Sequence, residues 1–197
     1  MEQSFKSMAI SFKKTPIDVR EEVSVNELEA KRLIQLIRDT SDASNILVLS
    51  TCNRTAIYYS SKKDLSKLVL KHLLLIRGLM NYSKYAPYFE SIVDHYDAMK
   101  HLFHVSMGLE AQVVGDMEIN NQVKVAYQWS VDEDIAGPFL HRLMHTIFYA
   151  NKRVIQETAF RDGAASVSYA ATELVTDLAK NFSSPQVLVI GLGEIGL

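Results

Sequence analysis

Asn45-Ile46-Leu47-Val48-Leu49-Ser50-Thr51-Cys52-Asn53-Arg54-Thr55-Ala56-Ile57-Tyr58-Tyr59-Ser60 decides the fold class of this chain. Residues 45–50 are an apolar run of strand length, in which Ile46, Val48 and the two leucines favour burial, and 56–60 are rich in β-formers. Only the polar run Thr51–Thr55 separates them. Upstream, residues 8–12 (MAISF) read as a short strand that Thr15-Pro16 ends. Ser24-Val25-Asn26-Glu27 has the spacing of a capping box and opens a helix whose Ala30, Leu33, Leu36 and Ile37 share one face. Strand, helix, strand, strand predicts a small α+β domain, a mixed or antiparallel sheet with helices on one face.

Downstream, from about 63 to 182, the pattern is almost wholly helical. Leu65, Leu68, Val69 and Leu73 mark one helix, and Met99, Phe103 and Met107 another. Gly137-Pro138 punctuates. Phe139 to about Thr158 is periodic and free of glycine and proline, as a long connecting helix would be. Gly163 breaks it, and Ser166 starts a further helix through about Leu178. Asn181–Pro185 is a loop, and Gln186–Ile190 has the composition of a buried strand. This gives three parts: an N-terminal domain over 1–138, the long helix and its successor over 139–182, and the start of another domain over 183–197.

The bulk numbers narrow the classes. The chain has 197 residues, 48% of them apolar, which suffices for a sizeable core, and its net charge of −2 provides no global basic field. A local patch can still bind phosphates. With one cysteine there is no internal disulfide framework and no CxxC zinc site, as suits a reducing compartment. MEQSFKSMAISFKK lacks the apolar centre of a signal peptide, and LVLKHLLLI is too short to span a bilayer. The expectation is a cytoplasmic protein without a membrane segment.

Cys52 lies outside the apolar runs, in a polar strand-to-strand connection with Arg54 two residues away. A structural cysteine is usually a small buried hydrophobe. A cysteine among polar groups and beside a guanidinium suits a nucleophile, because the thiolate is the attacking form. Thr51 and Asn53 could orient a substrate. His101 and His104 are about one helical turn apart, and either could act as general acid or base. The plainer reading is a pair of histidines at a core margin. His141 and His145 have chelating i, i+4 spacing but no third ligand in view, so no metal site is assigned. Gly108–Lys124 is a glycine-bounded polar loop entering a helix. It offers Glu110, Asp116, Glu118 and Gln122 to an amine or hydroxyl, or it is an ordinary solvated loop.

Gly191-Leu192-Gly193-Glu194-Ile195-Gly196 follows the last expected strand directly. In that context G-x-G-x-x-G serves a tight turn, a close approach to a pyrophosphate and helix–strand packing. The sequence stops at Leu197, so the reading expects the first strand of a Rossmann domain and nothing after it. A lone strand cannot pair its backbone. Residues after about 184 are therefore expected to lack an ordered place or to borrow one, and no nicotinamide cofactor is expected on this chain.

Taken in order, these stretches resemble glutamyl-tRNA reductase. Ser50-Thr51-Cys52-Asn53-Arg54-Thr55 matches the family's most specific signature. The stretch from Ile10 to Val23, with Lys13, Pro16 and Arg20-Glu21, resembles its opening. His101-Leu102-Phe103, Gly108-Leu109 and Val114-Gly115 match its central motif. Lys152-Arg153-Val154 and Ala165–Ala170 match its long helix and exit, and Gly191–Gly196 falls where the NADPH domain starts. The resemblance implies that Cys52 attacks the ester of glutamyl-tRNA(Glu) to form a thioester, which hydride from NADPH reduces to glutamate-1-semialdehyde for tetrapyrrole synthesis. His101 is implied in activity, and Thr51, Asn53, Arg54 and Gln122 in holding the glutamyl group. Ala111 and Gly115-Asp116-Met117-Glu118 occupy two further substrate-binding motifs and depart from both, as Ser11-Phe12 departs from the opening one. The resemblance also implies a homodimer through C-terminal helices absent from this sequence, and hand-over of product to the semialdehyde aminomutase. The alternatives are a non-catalytic tRNA-binding or regulatory module of the same fold, favoured by Ala111 and Glu118, and a metal enzyme using His141 and His145.

Overall fold

The sheet is organised around the hairpin. The computed structural model describes residues 4–160 and 167–188. Strand β2 (Ser44–Thr51) and strand β3 (Arg54–Ser61) pair antiparallel up to Ser50↔Thr55 and Thr51↔Arg54, so only Cys52 and Asn53 form the turn. The polar break expected between the strands is thus mostly strand. Its hydroxyls lie in the ladder, with Ser50 Oγ and Thr55 Oγ1 3.2 Å apart. Strand β1 (Ser4–Ser11) pairs antiparallel with β3, from Ser4↔Ser61 to Ser11↔Arg54. The sequence pattern missed the short strand β4 (Glu90–Ile92), which pairs with β1 and completes the order β2-β3-β1-β4. Three residues are too few to show a period.

Helices cover both faces of this sheet, which corrects the expectation of a single covered face. Met8, Ile10, Ile46, Val48, Ile57 and Tyr59 pack against α1 (Ile17–Val23), α2 (Glu27–Thr40) and α3 (Ser66–Ile76). Phe5, Leu47, Leu49, Ala56 and Tyr58 pack against α5 (His95–Ser106), α6 (Glu118–Asp132) and α7 (Pro138–Glu157). The reason is in the strands: both side-chain parities of β3 are apolar, and every residue of β3 is buried. Two faces with large apolar side chains need two covering layers. A short helix, α4 (Tyr82–Tyr85), and a single 3-10 turn (Ala86–Tyr88) lead into β4.

The helix boundaries show local sequence at work. Asn26, rather than Ser24, caps α2: its side chain accepts from Glu29 N, and the Glu29 carboxylate accepts from Asn26 N. Ser24 closes the preceding helix instead, donating from Oγ to Glu21 O. Leu36 is only half-buried, and Ile34 joins Ala30, Leu33 and Ile37 in the core. Helix α7 spans 20 residues with Pro138 in its first turn, as the sequence led one to expect. Its cap comes from far away. Asn45, on a bulge of β2 with φ +50°, accepts from Leu140 N at 3.2 Å, and a Cβ on Gly137 would stand 2.8 Å from its Oδ1.

Helix α8 (Val167–Ala179) follows. Of the expected strand Gln186–Ile190, Gln186, Val187 and Leu188 are exposed and carry no strand, because among the described residues no neighbouring strand takes their backbone hydrogen bonds. Val189, Ile190 and the glycine motif Gly191–Gly196, including Leu192, Glu194 and Ile195, lie outside the described residues.

Candidate active site

Cys52 is exposed at the tip of the β2–β3 hairpin. The turn is held on both sides. Thr51 Oγ1 accepts from Asn53 N at 3.2 Å, and Asn53 O accepts from Phe12 N at 2.9 Å. Arg20 on α1 donates from Nε to Cys52 O at 3.3 Å and from Nη1 to Thr15 O at 2.8 Å. Thr51 and Asn53 therefore have a structural duty: they fix the loop that presents the thiol. Neither this duty nor the reach of Arg20 is visible in composition.

Arg54, Ala56 and Tyr58 alternate onto one face of β3, the face that packs against α5, α6 and α7. Arg54 is only 4% exposed. Its Nη2 donates to the main-chain oxygen of Glu110, and among the described residues no carboxylate lies within ion-pair distance of its guanidinium. Burial lowers the pKa of Arg54, opposed by Tyr58 and Glu110, yet a guanidinium stays charged near neutrality. The result is a fixed, buried positive charge lacking a direct counter-ion.

His101 stands beside it. Its Nδ1 is 2.9 Å from the hydroxyl of Tyr58, which is fully buried. Burial pushes the Tyr58 phenol upward, so it keeps its proton, and its hydroxyl shares a hydrogen bond with His101 Nδ1. Burial, and next the Arg54 charge, push His101 below the usual imidazole value. In the neutral ring, the tautomer whose Nδ1 accepts from Tyr58 carries its hydrogen on Nε2 and can donate there.

The loop after α5 closes this polar rim. Gly108, at φ +76°, ends the helix with Gly108 N donating to Val105 O at 3.0 Å and Leu109 N to His104 O at 2.9 Å. A Cβ on Gly108 would meet Asp116 O at 2.8 Å. Glu110 pairs with Lys13 and lies 3.9 Å from His104 Nδ1. Burial opposes ionisation of Glu110, but the hydrogen bond and charge of Lys13, with His101 and Arg54, outweigh it and hold the carboxyl below its usual range.

The structure thus brings together Arg54, His101, Tyr58 and Glu110, with Lys13 and His104 at the edge, while Cys52 sits at the hairpin tip two residues before Arg54 with Arg20 bonded to its main-chain oxygen. The other sequence-derived candidates stand apart from this cluster in their bonding. Asp116 accepts from Glu118 N at 2.9 Å, and Gln122 donates to Glu118 at 3.1 Å, so these three bond to one another at the start of α6. Met117 is exposed, and Ala111, half-buried, donates its N–H to Gly108 O at 3.3 Å. Tyr58 was missed, although strand parity with Arg54 places it on the same face. His141 is bonded through Nδ1 to the Tyr127 hydroxyl, and among the described residues no three His, Cys, Asp or Glu side chains form a metal-binding group. No helix among the described residues is long and apolar enough to cross a membrane.

Fold and site define an α+β domain that displays a cysteine at the tip of a hairpin whose second strand begins with a buried cation. The family model for the glutamyl-tRNA(Glu) reductase N-terminal domain matches residues 8–158, and the chain belongs to that family. It is 53% identical over 196 residues to a glutamyl-tRNA reductase from Cytophaga hutchinsonii, covering all of this chain and 46% of that protein. It is 33% identical over 192 residues to one from Chlorobium phaeobacteroides, covering 96% of this chain and 45% of the relative. The chain thus spans somewhat less than half the length of these relatives. Among solved structures, the glutamyl-tRNA reductase of Methanopyrus kandleri superposes with a TM-score of 0.69 at 26% identity, over 90% of this chain and 40% of that one.

Proposed function

We propose that this domain carries out the acyl-transfer half of glutamyl-tRNA reduction. The observation that carries the reading is an exposed thiol at a hairpin tip two residues from a buried guanidinium that, among the described residues, has no carboxylate within ion-pair distance. Cys52 Sγ, having lost its proton to water, attacks the ester carbonyl carbon of glutamyl-tRNA(Glu). A C–S bond forms, the C–O bond to the ribose breaks, and the leaving oxygen takes a proton from water. Arg54 holds a carboxylate of the glutamyl group, for which its planar N–H fork is suited. Glu110 offers an acceptor to the α-amine. His101 stays neutral and directs Nε2–H at the oxyanion of the tetrahedral adduct, an electrostatic role instead of a proton transfer. Thr51 and Asn53 hold the loop. Gln122, with Asp116, Met117, Glu118 and Ala111, borders the site from the side of α6.

In the whole enzyme, bound NADPH would be the hydride source for reducing the resulting thioester to glutamate-1-semialdehyde for tetrapyrrole synthesis. Gly191–Gly196 are the residues that would hold it. We read 1–138 as the catalytic domain, 139–182 as its connecting helices and 183–197 as the start of the cofactor domain. A cytoplasmic enzyme, dimerisation outside this stretch and hand-over to an aminomutase belong to the same reading.

The test is acylation by radiolabelled glutamyl-tRNA(Glu), with Cys52→Ser as the control. Label that stays on the protein, is released by hydroxylamine and is absent from the variant is the expected result. A folded protein that binds the RNA but takes no label would instead be a binding module.

A further inference from the structure

The end of the sheet far from the hairpin tip carries a run of cations that the site does not use. Lys62 and Lys63 follow β3, Lys67 and Lys71 stand four apart on one face of α3, and all four are exposed. Between Lys62 and Leu75 the one carboxylate is Asp64. Its Oδ1 is engaged within the fold, accepting from Ser66 N at 2.9 Å and from the Ser66 hydroxyl at 2.6 Å. Asp42 likewise accepts from Ser61 Oγ at 2.7 Å and from Lys62 N at 3.1 Å. Lys6, only 5% exposed, donates to Ser61 O at 2.6 Å and attracts both carboxylates. Elsewhere Lys13, Lys14, Lys31 and Lys84 pair with carboxylates, whereas among the described residues none of these four lysines does. In a chain of net charge −2 the result is a concentrated positive field on one flank.

We propose that Lys62, Lys63, Lys67 and Lys71 dock the phosphate backbone of the RNA body, away from its aminoacylated end. The inference rests on the acyl-transfer reading, which puts that end at Cys52. Strand β3 has 8 residues at about 3.3 Å each, so Lys62 and Lys63 lie roughly 25 Å from the turn. An amino acid and the nucleoside that carries it do not extend so far, whereas the RNA behind them does. Helix α3 then runs back toward the thiol end, where Arg77 Nε donates to Glu22 O on α1 at 3.0 Å, and α1 also carries the Arg20 that holds the turn. The lysines thus mark a track along the layer that supports Cys52. Flexible point charges of this kind neutralise phosphates without reading bases. On the other layer, α5 and α6 set Lys100 and Lys124 against Asp97, Glu118 and Asp132. Arg142 and Lys152 on α7 are exposed but ten positions apart, and they define the competing path.

The probe is uncharged, fluorescein-labelled tRNA(Glu), titrated with this chain by fluorescence anisotropy at salt concentrations from about 50 to 200 mM. The double variant Lys67→Gln/Lys71→Gln should bind about tenfold or more weakly at the low-salt end, and its plot of log Kd against log salt should be shallower by about 2. Arg142→Gln/Lys152→Gln should leave both quantities in place. With glutamyl-tRNA(Glu), labelling of Cys52 in the lysine variant should fall at limiting RNA and recover at saturation. A 3′-O-glutamyl-adenosine donor, which lacks the RNA body, should label variant and wild type equally. An unchanged slope in the lysine variant, or a larger effect of the α7 pair, would overturn the proposal. So would lysine-dependent binding of phosphatidylglycerol vesicles with RNA affinity unaltered, which would assign this flank to a membrane. If the lysine variant loses RNA affinity while wild-type Cys52 takes no label, the acyl-transfer reading fails and the docking surface stands; if label is taken and affinity is unmoved, the reverse holds.

Discussion

Arg54→Met should stabilise the fold while abolishing acyl transfer. The wild-type guanidinium is 4% exposed and donates to the Glu110 main-chain oxygen, with no ion-paired carboxylate among the described residues. Removing that charge-assisted bond costs about 1.5–3 kcal/mol. Against this, burying one charge carries a desolvation penalty of several kcal/mol, and replacing buried ionic groups by apolar ones of similar volume ranges from neutral to about 1–4 kcal/mol stabilising. Methionine follows the same course between Tyr58 and the loop without the charge. The balance is a net gain of about 1 kcal/mol, an upward shift of roughly 0.5 M in the urea midpoint for a slope of about 2 kcal/mol/M. Loss of a buried charged partner for the substrate carboxylate costs about 2–5 kcal/mol, so labelling of Cys52 should fall at least ~30-fold. Equilibrium unfolding by circular dichroism and the acylation assay are run on the same preparation. A midpoint that drops by 0.5 M or so, with labelling retained, would refute the argument and make Arg54 a clamp on the Glu110 loop.

Other perturbations test the scaffold and the titrating groups. Asn45→Ala removes the long-range cap on Leu140 N and places a Cβ-bearing residue without a local hydrogen bond at φ +50°, for a loss of about 2 kcal/mol; Asn45→Gly loses only the cap, about 1 kcal/mol, so equal urea midpoints for the two would argue against this account. His101 is held below its ordinary value, so the folded state binds its proton less readily than the unfolded state does. Its contribution is present above the unfolded value of about 6.5 and is lost as pH falls through the folded one, so His101→Gln should flatten the decline of stability over that interval, and an NMR titration midpoint above 6.5 would contradict it.

Much of the architecture was legible because it depends on local pattern. The strand pair around Cys52, the long helix behind Gly137-Pro138 and the loop that enters α6 all follow from apolar period and punctuation. Two errors have physical causes. Ser24 and Asn26 are both good caps, and only the end of α1 decided that Ser24 serves the helix before it while Asn26 serves α2. The two apolar parities of β3 were present in Ala56-Ile57-Tyr58-Tyr59, but which helices would cover each face depends on chain reversal over long separations.

For the site, the sequence by itself determined the nucleophile candidate and its neighbours. Thr51, Cys52, Asn53 and Arg54 are adjacent in the chain, and a two-residue turn between antiparallel strands must expose its tip. Only the tertiary structure decided what surrounds that tip. Arg20 reaches it across 32 positions, Glu110 meets Arg54 across 56, and His101 meets Tyr58 across 43. A hydrogen bond needs its atoms about 3 Å apart in the right orientation, and spacing along the chain specifies that only within a turn or one helix. Contacts made between elements are set by which apolar faces pack together, and that is a property of the whole core.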